Sequence, residues 1–280
     1  MDDPRLTPAR PDLAAKYLEG KVKAARFVTG ETFEIIDPLA PVRMAPSSEA
    51  ELMTQALKGE QATIYDRNGE GWAWGQLSRD GYVGWLPDSS LAKPQAAPTH
   101  KVTALTTFAF PGPSIKLPPS NTLVMGALLT VTGESGAFAV TREGWYVPRG
   151  HLGNLDRFEK DFVGVAERFV GTPYLWGGKS SFGIDCSGLV QIALNAAGTG
   201  CARDSDMQQQ GLGKDIDPSQ SDRLQRGDLI FWKGHVAIAR DATTIVHANA
   251  YHMATAIENT ADAVARIKAA GSAIAAIKRL

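Results

Sequence analysis

Residues 171–190 read Gly171-Thr172-Pro173-Tyr174-Leu175-Trp176-Gly177-Gly178-Lys179-Ser180-Ser181-Phe182-Gly183-Ile184-Asp185-Cys186-Ser187-Gly188-Leu189-Val190. A cysteine stands where a glycine-containing loop enters an apolar run. Leu189, Val190, Ala193, Leu194 and Ala197 predict a helix from about Cys186 to Ala197, ended by Gly198. Unpaired backbone N–H groups at a helix start favour a thiolate and are expected to lower the thiol pKa. The thiolate is the nucleophilic form, so Cys186 is a candidate for covalent catalysis. The other cysteine, Cys201, reads as packing.

A nucleophile needs a base. Gly234-His235-Val236-Ala237-Ile238-Ala239 puts a histidine at the start of a predicted strand, and Thr244-Ile245-Val246-His247-Ala248-Asn249 puts a second on the next. A hairpin around Arg240-Asp241-Ala242-Thr243 would make the two neighbours. A polar group beside an imidazole fixes its tautomer, so Cys186, His235 and His247 form the candidate triad. A zinc site built from the same three residues is the metal alternative. No Cys-x-x-Cys or His-Glu-x-x-His pattern supports it, and no metal or cofactor is expected. His252 reads as structural, and His100 and His151 are assigned no function.

Outward from this core, Phe158, Phe162, Val165 and Phe169 fall at helical spacing and predict an amphipathic helix stopped at Gly171-Thr172-Pro173. Strand patterns follow at 228–232, 235–239 and 244–248, then a weaker helix at 261–269 and a closing strand at 273–277. Helices first and antiparallel strands after give an α+β domain over 153–280. Residues 1–20 read as an N-terminal arm, with a short helix from Leu13 to Leu18. From 21 to 93, short strands such as Ala62–Tyr65, Gly71–Leu77 and Gly81–Pro87, with a turn at Asn68-Gly69, suggest a small β-barrel. A Pro/Ala-rich linker follows, and 100–152 repeats the pattern: Gly144-Trp145-Tyr146-Val147-Pro148 echoes Gly84-Trp85-Leu86-Pro87. Trp145, Trp176 and Trp232 are read first as packing aromatics.

Composition narrows the function. The 280 residues carry 29 Lys+Arg against 30 Asp+Glu, a net charge of −1, which argues against a nucleic-acid or basic membrane-surface partner. The 28 Gly and 16 Pro favour loop-rich β structure over long helical bundles, and 44% apolar residues suffice for packed cores. Two cysteines cannot build a disulfide framework. With no signal-peptide pattern and no apolar run of membrane-spanning length, a cytoplasmic location is expected.

The Tyr-Leu-Trp-Gly-Gly…Asp-Cys-Ser-Gly-Leu-Val run, Arg-Gly-Asp-Leu-Ile-Phe-Trp at 226–232, Gly-His-Val-Ala-Ile and the later Val-His-Ala resemble the NlpC-type papain-like cysteine peptidases over roughly 155–280. The upstream repeats resemble bacterial SH3 domains. The whole arrangement resembles murein-peptide-recycling γ-D-glutamyl-L-diamino acid endopeptidases, which cleave after L-Ala-γ-D-Glu. That resemblance implies two SH3-like barrels followed by a papain-like domain, and a small murein peptide as substrate. It implies further roles: Tyr174 near the oxyanion, Trp176 walling the pocket, and Asp185, Ser187, Asp204 and Ser205 facing substrate. Cys201-Ala202 departs from the Leu-Pro that the resemblance leads one to expect. An acid and a tyrosine of the first barrel, nominated as Glu60 and Tyr82, would grip the free α-amine, because a buried ammonium needs a carboxylate. Two further readings compete: an acyltransferase or amidase on the same fold, and a non-catalytic murein-binding module.

Overall fold

The computed structural model describes residues 3–217 and 223–280. It divides into two compact units, Met1–Leu155 and Asp156–Leu280. Among the described residues no helix is long and apolar enough to cross a membrane.

The first unit begins with an arm that does not form the predicted helix. Ala14–Ala15 pairs in parallel with Phe27–Val28, and Lys16–Leu18 makes one 3-10 turn. Pro11 and Gly20 bracket a segment too short to hold a helix by itself, while burial of Leu13, Ala14, Ala15 and Leu18 holds it extended. Arg10 anchors the arm. Its guanidinium lies 4.5 Å from the Trp74 ring centroid and 4.9 Å from that of Trp85, and it pairs with Asp12 and Asp66.

Beyond the arm is a seven-stranded antiparallel sheet. Its spatial order is Leu52–Leu57, Leu39–Arg43, Val83–Pro87, Trp72–Leu77, Gln61–Arg67, Glu31–Ile35 and Leu91–Ala92. Ile35, Val42, Leu57, Ala62, Leu77 and Leu86 are buried. The turn expected at Asn68-Gly69 is present: the Asn68 side-chain oxygen accepts from the N–H groups of Glu70 and Trp72.

Residues 100–154 form three small sheets around Val102, Leu123, Leu129, Val147 and Leu152. The sequence echo has a structural counterpart. Val83–Pro87 leads through a 3-10 turn at Asp88–Ser90 into Leu91–Ala92, and Tyr146–Pro148 leads through one at Arg149–His151 into Leu152–Asn154. The two β regions join at Gly59, whose φ is +79° and where a Cβ would lie 2.3 Å from the Leu128 carbonyl oxygen. That approach lets the Leu128 N–H donate to the Lys58 carbonyl at 2.8 Å. The buried Lys58 ammonium lies 4.8 Å from the Trp145 ring centroid.

The second unit has four helices among its described residues: α1 (Phe162–Glu167), α2 (Cys186–Ala196), α3 (Ser205–Gly211) and α4 (Thr260–Ala269). Its six-stranded antiparallel sheet runs in the order Lys214–Ile216, Ala276–Arg279, Leu229–Trp232, His235–Ala239, Thr244–Asn249, Ala254–Asn259. Two expectations need correction. The first helix starts at Phe162, not Phe158, because Asp161 caps it by accepting the Val163 N–H at 3.0 Å; Phe158 is 52% exposed. The closing strand is Ala276–Arg279, three residues later than expected, since Gly271 and Ser272 still close α4 through bonds to Lys268 and Ile267. The helix expected at 261–269 is present as α4, between the fifth and last strands in chain order. The sequence reading also missed α3 and the strands Lys214–Ile216 and Ala254–Asn259.

Replacing Arg10 with Ala removes both aromatic contacts and both ion pairs. It is expected to lower the stability of the first unit by about 1–2 kcal/mol in urea unfolding, with Arg10→Lys recovering part of the loss.

Candidate active site

The start of α2 is held by a buried ion pair. Arg203, 1% exposed, donates from Nη1 to Asp185 Oδ1 at 2.9 Å and from Nη2 to Oδ2 at 2.7 Å. Asp185 also accepts the N–H groups of Gly177 (2.8 Å) and Gly188 (2.7 Å), the second being the N-cap bond of α2. Arg203 further donates to Ser187 Oγ and to the Gly178 carbonyl. Gln208 Nε2 donates to the carbonyls of Ser187 and Ala202, each at 2.9 Å. Gly188 allows the loop to press against the helix, because a Cβ there would lie 2.3 Å from the Gly178 oxygen. Cys186, the first residue of α2, is thereby fixed in place.

The thiol meets the sheet beside His235. α2 packs against the strand His235–Ala239, and the Val236 backbone N–H donates to the Cys186 sulfur. The register Ile238↔Val246, continued by alternation, puts His235 and His247 on one face. His235 Nε2 lies 2.9 Å from His247 Nδ1. The next register pairs His247 with Ala256 and Ile245 with Glu258, so Glu258 sits diagonally beside His247 on the same face. His247 Nε2 lies 3.1 Å from Glu258 Oε2. Arg266, from α4, donates to both Glu258 oxygens, at 3.2 Å to Oε1 and 2.7 Å to Oε2. The Arg266 guanidinium in turn lies 4.1 Å from the Tyr251 ring centroid. Trp232, 2% exposed, packs against His235 with ring centroids 5.6 Å apart.

Burial governs the protonation states. The Cys186 thiol is pushed up to about 12, by desolvation first and the Asp185 charge second; the Val236 N–H, Arg203 and the Ser187 N–H oppose this. His235 is lowered to about 3, by burial and then by the charges of His247 and Arg266. His247 is lowered to about 4, again by burial, against the pull of Glu258. Burial works to raise the Glu258 carboxyl, but the Arg266 guanidinium holds it below its ordinary value. At neutral pH the pair therefore rests as thiol and imidazole. This corrects the expectation of a lowered thiol pKa: desolvation by burial outweighs the helix N-terminus, and the anionic N-cap Asp185 adds to it.

The remaining nominated residues divide. Tyr174 is half-buried, and its hydroxyl pKa is raised by burial and then by the charges of Cys186 and Asp185, so it stays a phenol beside the thiol. Trp176 is 58% exposed on the same loop. Asp204 and Ser205 are partly exposed at the start of α3. Asp185 and Ser187 do not face outward as implied: they are 6% and 5% exposed, and their oxygens are engaged by Arg203 and backbone N–H groups. Glu60, implied as an amine clamp, is 3% exposed, ion-paired with Arg79, and accepts the Leu57 N–H at 3.1 Å. Tyr82 is 1% exposed. The sequence reading missed Arg203, Gln208, Glu258 and Arg266 as parts of the site. Arg203 carried one signal: it stands immediately before the nominated Asp204 and Ser205, and a cation there needs an anion if buried. His247, His252 and Glu258 offer ligand atoms within 4.8 Å of one another, enough for a metal ion. However, Glu258 is already chelated by Arg266, and His252 Nδ1 lies 3.0 Å from Asn249 Oδ1.

Two outcomes follow from this geometry. Arg203→Ala strands a buried carboxylate and is expected to destabilise the second unit by about 3–5 kcal/mol in urea unfolding. His247 has a folded pKa of about 4 against 6.5 unfolded, so the unfolded chain binds more protons between those values. Its stability contribution is complete above pH 6.5 and is lost as pH falls toward 4. About 2 kcal/mol of the stability difference between pH 7.5 and pH 5 is expected to vanish in His247→Gln.

Comparison with known proteins agrees with this geometry. Residues 171–266 match the NlpC/P60 family, and residues 42–91 match the bacterial dipeptidyl-peptidase Sh3 domain. A protein of Lysinibacillus sphaericus named dipeptidyl-peptidase 6 is 38% identical over 44% of this chain and 44% of its own length. A Bacillus cereus protein named gamma-D-glutamyl-L-lysine dipeptidyl-peptidase is 28% identical over 65% of this chain and 60% of its own. The chain thus matches only about half the length of these relatives. The crystal structure of an NlpC/P60 family protein from Bacillus cereus superposes with a TM-score of 0.75 at 22% identity, covering 89% of this chain and 99% of that one, and shows a shared fold. The chain carries an SH3-like domain of the bacterial dipeptidyl-peptidase type followed by a domain of the NlpC/P60 cysteine peptidase family.

Proposed function

We propose that this protein is a cysteine peptidase that hydrolyses the γ-D-glutamyl–diamino acid bond of short murein peptides bearing a free N-terminal L-Ala, in cytoplasmic recycling of cell-wall fragments. The observation that carries the reading is Cys186 at the first turn of α2, its sulfur against the Val236 N–H next to His235, with the His235 and His247 imidazoles 2.9 Å apart. The names of the relatives, and the dipeptidyl-peptidase type of the Sh3 domain, support the substrate class. The repeated strand, 3-10 turn and strand closures support reading residues 100–152 as a second SH3-like barrel.

In the proposed mechanism His235 removes the Cys186 proton as sulfur attacks the γ-D-glutamyl carbonyl. Because the resting pair is neutral, proton transfer and attack are coupled. The Cys186 backbone N–H and the Tyr174 hydroxyl stabilise the tetrahedral oxyanion. His235 then protonates the departing diamino-acid amine, and water hydrolyses the thioester. Trp176, Asp204 and Ser205 supply the accessible contacts for the peptide.

The test is incubation with L-Ala-γ-D-Glu-diaminopimelate and with its N-acetylated form. The free peptide is expected to be cleaved at least 100-fold faster, and Cys186→Ala to lose all turnover. Equal rates on both peptides would remove the free-amine specificity, and full activity in Cys186→Ala would remove the nucleophile. Since burial holds both imidazoles below 6.5, the acid limb of kcat/KM is expected below pH 6.

A further inference from the structure

We infer that Glu258 is a positioning residue that sets the tautomer of both imidazoles and so decides whether His235 Nδ1 is a lone pair able to take the thiol proton. The inference rests on the peptidase reading for its catalytic meaning, but its geometry stands apart from any substrate. A neutral imidazole carries one N–H, and two neutral rings in contact can be arranged in either of two ways. In one, His235 Nε2–H donates to His247 Nδ1, leaving His235 Nδ1 as a lone pair able to take the thiol proton. In the other, His247 Nδ1–H donates to His235 Nε2, and His235 carries its proton on Nδ1, where it cannot act as a base. The histidine pair alone does not choose between them.

Glu258 chooses. Its carboxylate is an acceptor, and Arg266 donates to both of its oxygens. At 3.1 Å from His247 Nε2 it requires a proton on that nitrogen. His247 Nδ1 is then a lone pair, so His235 Nε2, 2.9 Å away, must be the donor. The remaining groups around His247 do not compete. Arg266 is a cation directed at Glu258, and His252 is turned to Asn249, its ring centroid 6.5 Å from that of His247. The order of donation therefore runs from His235 through His247 to Glu258, and each ring is held in the form that general-base catalysis requires.

Glu258→Gln tests this with little change in shape. Its amide can donate to His247 Nε2 and reverse both tautomers, a change that in comparable triads costs up to about 10⁴ in kcat. In the full chain, nitrogen–proton correlation spectra are expected to place the His247 ring proton on Nε2 in the wild type and on Nδ1 in Glu258→Gln. Alkylation of Cys186 by iodoacetamide at pH 7, followed by mass spectrometry of its peptide, is expected to slow at least tenfold. Peptide turnover is expected to fall at least 100-fold in kcat with KM nearly unchanged. Glu258→Ala, which neither accepts nor donates, is expected to fall between the two proteins. A wild-type proton on His247 Nδ1 overturns the inference without recourse to any variant. So does a folded Glu258→Gln protein with the wild-type tautomer and an alkylation rate within twofold of wild type. If tautomer and alkylation behave as expected while no murein peptide is cleaved, the substrate reading fails and the positioning role stands.

Discussion

The second unit depends on one ion pair, Asp185 with Arg203. It closes the loop over the helix, caps the helix and fixes the residue that follows the cap, which is Cys186. A buried guanidinium and carboxylate are costly to desolvate, and this pair is tolerable because nearly every remaining hydrogen-bonding position is filled by the backbone or by Ser187. The pair therefore contributes order more than net stability. It converts a glycine-rich loop, which would otherwise sample many conformations, into a single support for the nucleophile.

The same burial shapes the chemistry. Removing the thiol from water raises its pKa more than the nearby N–H groups lower it, and removing the imidazoles from water lowers theirs. The two shifts move apart, so burial favours the uncharged thiol and uncharged imidazoles. At the far end of the line the Glu258 carboxylate offsets part of the cost of charging His247, while the Arg266 cation opposes it.

Much of the site was legible in the sequence because it rests on local patterns. The helix at Cys186 announces itself through an apolar run behind a capping aspartate. The strands carrying His235 and His247 are short, apolar and separated by a turn that matches their pairing. What escaped the reading lies in edges and long-range pairs. The strand Ala254–Asn259 carries its only large apolar side chain, Ile257, outward at 43% exposure, and turns Glu258 toward His247. Period-2 reasoning assigns those two faces the other way round. Arg203 lies eighteen residues beyond its partner, and nothing in local spacing links them. Glu60 adds a partner that local spacing does not announce, Arg79, nineteen residues along the chain. In the first unit the sequence echo was readable because tryptophan and proline recur in Gly84-Trp85-Leu86-Pro87 and Gly144-Trp145-Tyr146-Val147-Pro148.

The neutral resting thiol has a consequence outside catalysis. Peroxides attack the thiolate, and the first oxidation product of a cysteine forms in proportion to its ionised fraction. A sulfur enclosed in protein and held in its protonated form presents almost none of that species between turnovers. The burial that favours the protonated form of Cys186 therefore also works against its oxidation.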